Sequence, residues 1–355
     1  MSKILFLSTS VGALGSGQGG GVELTIQNLA QELSGRGHQI EVVAPQDSWL
    51  TNIPVIEIEG NLQIPVQTLS RDVPVCMPHN AVLANMWDYA RKVQYKYDLL
   101  VNFAFDWLPF YLTPFCETTI AHFISMGSMT AESDRIMQQT IEQYPGTFGV
   151  YTQSQADTFP FASDCEILSS AIDLALYQFN ETPGEGLAWL GRIAPEKALE
   201  DAVAAVNETG TTLKIFGKIQ DRDYWSKICR DFPQAPIEYQ GFLNTHDLQK
   251  ELGKCRALLM TPRWIEAFGN VAIEALACGV PIIAYRRGGP SEIVKHERTG
   301  FLVEPDSVSG LITAINQIDK IDRCACRQQA EVEYSLTALG DRFETWFNKL
   351  IPRAR

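Results

Sequence analysis

The sequence lacks the features that mark membrane-spanning, secreted and nucleic-acid-binding proteins. No stretch approaches the roughly 18 consecutive apolar residues that a membrane span requires. The N-terminal apolar run is too short for a signal peptide and leads directly into a glycine-rich loop. Acidic residues outnumber basic ones by 42 to 29, and a net charge of -13 disfavours nucleic-acid partners, because such partners are bound largely through cations. We therefore expect a cytoplasmic protein.

Clustered cysteines, repeats and low-complexity runs are also missing. The eight cysteines are scattered, and several lie in apolar segments, so we expect reduced, buried thiols. Only Cys324 and Cys326 are close in sequence, and without neighbouring histidines they do not predict a zinc site. The mildly basic segment from Asn85 to Lys96 is interpreted as a solvated helix face rather than a membrane-docking face. A length of 355 residues with 45% hydrophobic content favours two ordinary domains.

The N-terminal segment has the pattern of a Rossmann-like βαβ unit. The apolar run from Lys3 to Ser8 predicts a strand, a glycine-rich loop follows, and residues 22–33 are amphipathic, as expected of a helix. Gly35 to His38 ends this helix, and Ile40 to Ala44 predicts the next strand. A nicotinamide dinucleotide is a disfavoured ligand, because Ala44-Pro45 stands where such proteins need an acidic residue for the ribose.

The most informative segment is predicted to form a strand, a loop, a helix and a second strand. Residues 257–260 are apolar, and residues 270–278 have helical composition closed by a glycine. Glu266 falls in the loop, and Glu274 lies about one turn inside the helix. The backbone amides of Phe268-Gly269-Asn270 at the helix N-terminus would favour a phosphate. Carboxylates that accept hydrogen bonds from vicinal hydroxyls beside a phosphate site suggest a sugar nucleotide.

This segment resembles the glutamate-x7-glutamate signature of retaining GT-B glycosyltransferases, in particular glycosyltransferase family 4 (glycosyl transferases group 1). The resemblance covers nearly the whole chain. It implies an α/β protein with two Rossmann-like domains that face a central cleft. Residues 1–170 would bind the acceptor and residues 171–335 the donor. The C-terminal helix, within residues 336–355, would cross back and complete the N-terminal domain.

The resemblance also implies roles for individual residues. Arg192 and Lys197, in a glycine-led loop after a predicted strand, would hold the donor diphosphate. Glu266 would hold sugar hydroxyls, Glu274 the ribose, and His122 the transferred sugar, although a lone histidine is otherwise commonly structural. The remaining donor-binding candidates contribute mainly backbone groups or base contacts: Gly20, Gly21, Val22, Gly217, Lys218, Phe242, Phe268, Gly269 and Asn270.

The acceptor site is predicted from polar and aromatic residues that follow a buried strand. Phe105, Asp106 and Trp107 come where α/β proteins bind ligands, beyond the carboxyl end of a strand. Aromatic stacking there favours a planar or apolar acceptor, and Asp106 could bind its hydroxyl. We therefore prefer a small soluble acceptor, such as a pterin or another planar heterocycle, over a lipid or a polysaccharide.

The predicted function is that of a retaining hexosyltransferase that needs no metal and no cofactor. UDP-glucose is the favoured donor on family frequency alone. The expected partners of the protein are the small-molecule donor and acceptor. Attack from the front face is preferred over a covalent glycosyl-enzyme, because no nucleophilic carboxylate is better placed than Glu266. Other interpretations stay open: a lipid or polysaccharide glycosyltransferase, a GT-B-fold sugar-nucleotide epimerase, or a non-catalytic sugar-nucleotide-binding regulator.

Overall fold

The computed structural model describes residues 1–16, 20–66 and 70–351. The chain divides into two compact units, one comprising Met1–Ser170 with Leu336–Arg355 and the other comprising Ala171–Ser335. Each unit is built on a parallel sheet, and helices connect most of its consecutive strands, as is usual for parallel pairing. The predicted α/β class with two Rossmann-like domains is confirmed.

Parallel strands form the sheet of the first unit. Within the described residues there are seven of them: β1 (Lys3–Leu7), β2 (Gln39–Pro45), β3 (Val55–Ile58), β4 (Leu99–Asn102), β5 (Ile120–Ile124), β6 (Phe148–Val150) and β7 (Cys165–Ile167). Their order across the sheet is β3-β2-β1-β4-β5-β6-β7. The central strands β1, β4 and β5 are buried at nearly every position, which is typical of a parallel sheet covered on both faces.

Several helices of the first unit begin next to a residue whose side chain caps the first turn. Their bounds are α1 (Gly21–Gly35), α2 (Val82–Val93), α3 (Trp107–Leu112), α4 (Ala131–Gln143) and α5 (Gln153–Ala156). Asp106, Thr130 and Thr152 each accept a hydrogen bond from a backbone amide in the first turn of α3, α4 and α5. Such caps satisfy donors that have no partner within the helix, so these short polar residues fix where the helices start.

The second unit has the strand order of a Rossmann fold. Its strands are β8 (Leu187–Leu190), β9 (Leu213–Phe216), β10 (Ile237–Gly241), β11 (Leu258–Met260), β12 (Ile282–Tyr285) and β13 (Gly300–Val303). They are arranged as β10-β9-β8-β11-β12-β13. The order therefore reverses between β8 and β11, and ligands of such sheets bind beyond the strand ends at this switch point.

The helices of the second unit alternate with its strands. Their bounds are α6 (Leu199–Thr209), α7 (Arg222–Asp231), α8 (Thr245–Gly253), α9 (Asn270–Ala277), α10 (Pro290–Ile293), α11 (Val308–Gln317) and α12 (Arg323–Glu333). Helix α9 is the helix predicted after the Glu266 loop, and it follows β11 directly along the chain.

The last helix, α13 (Leu336–Leu350), follows the second unit in sequence but packs against α1 in the first unit. Arg36, at the end of α1, donates hydrogen bonds to Asp341 at 2.7 Å, to Glu344 at 2.5 Å and to the carbonyl of Thr337 at 2.8 Å. His38 Nε2 lies 2.9 Å from Glu344 Oε1. The aromatic side chains of α13 are buried: Phe343, Trp346 and Phe347.

None of the helices in the described ranges is long and apolar enough to cross a membrane. The basic residues of α2 are paired within the helix, since Asp88 contacts both Arg91 at 2.9 Å and Lys92 at 2.6 Å. These pairs are exposed, as expected of a solvated helix face.

Candidate functional site

Two loops at the switch point of the second unit carry the principal candidates. Residues 191–197 follow β8 and residues 261–269 follow β11, and these strands are neighbours in the sheet. The loops are joined by hydrogen bonds. Thr261 Oγ1 lies 3.1 Å from the carbonyl of Lys197 and 2.8 Å from that of Ala198, and the Arg263 amide donates to the Glu196 carbonyl at 2.9 Å. These hydrogen bonds hold the two loops together, so residues that are far apart along the chain form one site.

Lys197 and Glu266 meet in this site. The Lys197 ammonium contacts Glu266 Oε2, and the Trp264 indole Nε1 donates to the same oxygen at 3.0 Å. The ammonium also lies 5.0 Å from the centroid of the Trp264 ring, within the range of a cation–π interaction. Only 20% of the Lys197 side chain and 17% of the Glu266 side chain are exposed. This limited exposure weakens solvent screening of the charges.

The backbone around Glu266 is held by a glycine pair that leads into α10. The Gly289 amide donates to the Glu266 carbonyl at 2.7 Å. A Cβ atom on Gly288 would lie 2.6 Å from the Glu266 backbone, and one on Gly289 would lie 2.2 Å from the Phe268 carbonyl oxygen. Gly288 also has a φ of 64°, a conformation that glycine adopts readily. The backbone of Gly288-Gly289 therefore packs directly against the backbone of Glu266 and Phe268 and fixes the conformation of that loop.

The amino end of α9 lies beside Glu266. Gly269 is the residue before the helix, with a φ of 98° and no side chain that caps the first turn. A Cβ built on Gly269 would lie 3.6 Å from Glu266 Cγ, which places the carboxylate arm next to the helix start. The Asn270 side-chain oxygen is buried without a hydrogen-bond partner. A helix N-terminus beside the Lys197 ammonium is a favourable environment for an anion.

Glu274 lies further along α9 and interacts with a different residue. The Tyr177 hydroxyl forms a hydrogen bond with its carboxylate, which is partly buried. Burial raises the pKa of Glu274 to about 7, and the hydrogen bond from Tyr177 opposes that rise. Burial also raises the pKa of Tyr177, so its hydroxyl remains a donor. The carboxylate thus has a defined partner of its own, apart from the Lys197–Glu266 pair.

Arg192 lies at the outer side of the loop after β8. Its guanidinium contacts Gln220 and forms an ion pair with Glu196 at 3.1 Å, and 38% of its side chain is exposed. Its interactions therefore differ from those of Lys197, which lies five residues later in the same loop and contacts Glu266.

The candidate base-binding residues lie at the ends of β9 and β10. A Cβ on Gly217 would lie 1.9 Å from the Gly191 carbonyl oxygen, so the loops after β8 and β9 touch through their backbones. The Tyr239 hydroxyl donates to the Gly217 carbonyl at 2.9 Å. Phe242 is 65% exposed, and the Lys218 ammonium lies 4.7 Å from its ring centroid. An exposed ring and a nearby cation can contact a planar, electron-rich ligand.

His122 requires a correction, because the structure places it in the core of the first unit. Asn102 donates to its Nδ1 at 3.2 Å, and the Asn102 amide oxygen is fixed by the Ala104 amide at 3.1 Å. His122 Nε2 must then carry the proton that faces Thr113 Oγ1 at 3.0 Å, and that hydroxyl donates to the Pro109 carbonyl. Burial lowers the pKa of His122 to about 3. With both ring nitrogens occupied, the neutral imidazole has no atom left for a sugar.

The acceptor candidates occupy the start of α3. Asp106 accepts from the Leu108 amide at 3.2 Å and from Gln63 Nε2 at 2.6 Å, and burial raises its pKa. Trp107 stacks on Tyr111 with centroids 4.5 Å apart. It also borders a cavity of about 550 Å³, whose other lining residues are Arg71, Asp72, Val73, Pro74, Val75, Ala131, Glu132 and Arg135. Phe105 is partly buried and packs against the apolar core behind α4.

The glycine loop of the first unit leads into α1. Gly20 precedes the helix with a φ of 68°, and Gly21 and Val22 form its first turn. The Val22 side chain is buried, so it is the backbone of this segment that can face a ligand. Gly17, Gln18 and Gly19 lie outside the described residues.

Sequence reasoning passed over two acidic residues in Asp221-Arg222-Asp223, an Asp-x-Asp sequence of the kind that can bind a metal. Asp221 accepts a hydrogen bond from the Tyr224 amide at 2.9 Å and caps α7. Within the described residues, no group of three or more His, Cys, Asp or Glu side chains is arranged to hold a metal ion. Trp264 was also missed, and its only sequence signal was its position two residues before Glu266.

The second unit matches a known family, and the fold of the whole chain is that of glycosyltransferases. Residues 181–331 match the family model for glycosyl transferases group 1. Among solved structures, Anabaena HepE in complex with UDP and glucose aligns with a TM-score of 0.78 at 17% identity, covering 99% of this chain and all of that one. Sucrose-phosphate synthase from Thermosynechococcus elongatus aligns with a TM-score of 0.78 at 18% identity, covering 99% of each chain. This chain therefore shares with these two structures the GT-B fold of two Rossmann-like units.

Curated relatives match over part of the chain. Glycogen synthase of Mycobacterium tuberculosis is 29% identical over 190 residues, which is 50% of this chain and 45% of the synthase. The 2-deoxystreptamine N-acetyl-D-glucosaminyltransferase of Niallia circulans is 33% identical over 137 residues, 35% of this chain and 33% of that enzyme. The chain therefore spans less than half the length of these relatives.

Proposed function

We propose that the protein is a retaining glycosyltransferase that moves a hexose from a nucleoside-diphosphate sugar to a hydroxyl of a small soluble acceptor. The observation that carries this proposal is the meeting of Lys197 and Glu266 beside the amino end of α9. A cation and a helix N-terminus suit a diphosphate, and an adjacent carboxylate suits sugar hydroxyls. The match of residues 181–331 to glycosyl transferases group 1 supports the same class.

UDP-glucose is the proposed donor. HepE has been solved in complex with UDP-glucose, and a glycogen synthase and sucrose synthases are among the matching relatives. The exposed Phe242 ring and the nearby Lys218 ammonium offer a surface for the nucleotide base. Glu274 would accept hydrogen bonds from the ribose hydroxyls, for which its ionised form is the better acceptor.

Cations of the second unit would stabilise the departing nucleotide. As the bond between the anomeric carbon and the diphosphate breaks, negative charge grows on the phosphate oxygens. Lys197 is held close to this position by its contacts, and the exposed Arg192 side chain can add a second, bidentate cation. These two fixed charges would do the work that a metal ion does elsewhere, so the transfer is proposed to proceed without one.

The anomeric configuration would be retained because the acceptor attacks the anomeric carbon from the same face as that from which the leaving group departs. The acceptor oxygen bonds to the anomeric carbon while its proton passes to an oxygen of the departing diphosphate. Glu266 is bound through Oε2 to Lys197 and Trp264, which suits a role in holding hydroxyls more than a role as nucleophile. The acceptor is proposed to be planar and to bind beside Trp107, next to the cavity of the first unit.

Nucleotide release tests the proposal. UDP-, GDP- and ADP-sugars are incubated with the protein in EDTA, before and after addition of a small-metabolite extract. We expect release from one donor, stimulated by the extract and reduced at least about tenfold in Glu266→Ala and in Arg192→Ala, because each removes a group that orients or stabilises the donor. Arg230→Ala is the matched control, because Arg230 lies on the exposed face of α7 with 73% of its side chain exposed.

Other outcomes separate the remaining interpretations. Conversion of the donor without an acceptor would indicate an epimerase. Tight donor binding without release would indicate a regulatory binding protein. Activity that disappears in EDTA and returns with a divalent cation would contradict the metal-independent mechanism.

A further inference from the structure

Trp264 makes two separate contacts with the Lys197–Glu266 pair. Its indole Nε1 donates to Glu266 Oε2 at 3.0 Å, and its ring lies 5.0 Å from the Lys197 ammonium. The two charged side chains reach this point from loops 69 residues apart in sequence. A single side chain thus contacts both charged groups of the candidate donor site.

The contacts distinguish the two oxygens of Glu266. Oε2 accepts hydrogen bonds from both Lys197 and Trp264, whereas no donor in the described part of the chain forms a hydrogen bond with Oε1. The hydrogen bond from the indole therefore sets the rotation of the carboxylate and leaves Oε1 as the oxygen that can meet a ligand hydroxyl. A carboxylate held by the ammonium alone would lack this directional restraint, because an ammonium binds as a point charge.

The indole ring also restricts the ammonium. Lys197 has a flexible four-carbon side chain, and the face of the Trp264 ring attracts its ammonium group, which limits where that group can lie. Both restraints come from one residue whose backbone is fixed by neighbouring contacts, since the Arg263 amide donates to the Glu196 carbonyl at 2.9 Å. Loss of Trp264 would leave both charged groups present but poorly aligned.

We propose that Trp264 is a positioning residue that orients Glu266 toward the sugar hydroxyls and Lys197 toward the departing diphosphate. This inference rests on the proposed transferase function and adds a residue that acts only through the other two. Small displacements of aligned groups reduce turnover more than binding, because the groups remain in place to bind the ground state.

Two substitutions separate the hydrogen bond from the volume of the ring. Trp264→His keeps a ring N–H at the equivalent position, since His Nε2 and Trp Nε1 occupy corresponding atoms of their five-membered rings. Trp264→Phe keeps more of the apolar bulk but has no donor. A positioning role predicts that Trp264→Phe lowers kcat about tenfold or more, as expected for the loss of a hydrogen bond to a charged group, while Trp264→His loses less. A packing role predicts the opposite order.

The donor KM and a double-mutant cycle provide the second test. In Trp264→Phe we expect the donor KM to change less than kcat. In a Glu266→Ala background, the same substitution should reduce residual kcat by less than about twofold, because the indole donor then has no carboxylate to orient. The control is the variant Trp225→Phe. Trp225 lies in α7, and its ring centroid is 5.4 Å from that of Tyr239. The kcat of this variant should stay within about twofold of the wild-type value.

Each result bears on one of the two proposals. If the wild-type protein releases no nucleotide from any donor, the proposed function fails and this inference fails with it. If the wild type is active and Trp264→Phe is at least as active as Trp264→His, or its loss is undiminished in the Glu266→Ala background, only the role of Trp264 is overturned. If Trp264→Phe does not fold, the same cycle with Trp264→His decides, and equal losses in both backgrounds refute the inference.

Discussion

Glu274 makes a quantitative prediction, because the folded protein holds this carboxyl in an unfavourable environment. Burial raises its pKa from the ordinary 4.5 to about 7. The folded state therefore binds the proton more tightly than the unfolded chain does. Once the group is ionised in both states, its burial costs the folded protein ~3 kcal/mol, at 1.36 kcal/mol for each pKa unit.

The sign of the pH dependence follows from the same difference. Below about pH 4.5 the carboxyl is protonated in both states and contributes no penalty. Between about pH 4.5 and pH 7 the unfolded chain loses its proton first, so stability falls as the pH rises. Above about pH 8 the penalty is complete and constant. Glu274→Gln removes the ionisation while its amide oxygen can still accept from the Tyr177 hydroxyl.

Urea unfolding at a series of pH values measures this effect. The stability of Glu274→Gln minus that of the wild type should be small at pH 4.5 and should grow by ~3 kcal/mol by pH 8. The control is Glu208→Gln, an exposed position near the end of α6, for which surface substitutions usually change stability by less than ~0.5 kcal/mol. A difference for Glu274→Gln that is the same at pH 4.5 and pH 8 would refute the reasoning.

The remaining predictions concern backbone contacts and the last helix. Gly217→Ala should destabilise the protein by about 2–5 kcal/mol in urea unfolding, because its Cβ would lie 1.9 Å from the Gly191 carbonyl oxygen at a φ of 134°. Gly210→Ala, at a φ of 69° with open space around its Cβ, should cost only about 1–2 kcal/mol, and equal losses would contradict this account. Arg36→Ala should cost about 1–3 kcal/mol and speed proteolysis within α13; unchanged cleavage would show that these hydrogen bonds do not hold the helix.

Much of the fold could be predicted because its strands are short, continuous apolar runs. The run from Lys3 to Ser8 is observed as β1, the run before Thr261 as β11, and the helix predicted from Asn270 as α9. These elements depend on local pattern, which a single sequence contains. The basic helix predicted from Asn85 to Lys96 starts earlier, at Val82, and its last residues form a 3₁₀ turn. Helix ends depend on packing and caps as well as composition, which explains this shift.

The candidate site could be predicted only in part. Lys197 and Glu266 are brought together by the neighbouring positions of β8 and β11, an arrangement that the recurring Rossmann order makes foreseeable. His122 could not be judged from sequence, because its burial depends on Asn102 and Thr113, which lie 20 and 9 residues away. The role of Trp264 depends on where its side chain points, and sequence spacing does not determine that direction.

The central claim is that the Lys197–Glu266 site transfers sugar from a nucleotide donor. Its most direct test is release of nucleotide from UDP-glucose in the presence of acceptor extract, compared between the wild type and Glu266→Ala at matched folded concentration. The account predicts release by the wild type in EDTA and loss of at least about tenfold in the variant, since a hydrogen-bonding group that orients the donor is removed. Equal release by the two proteins would contradict it.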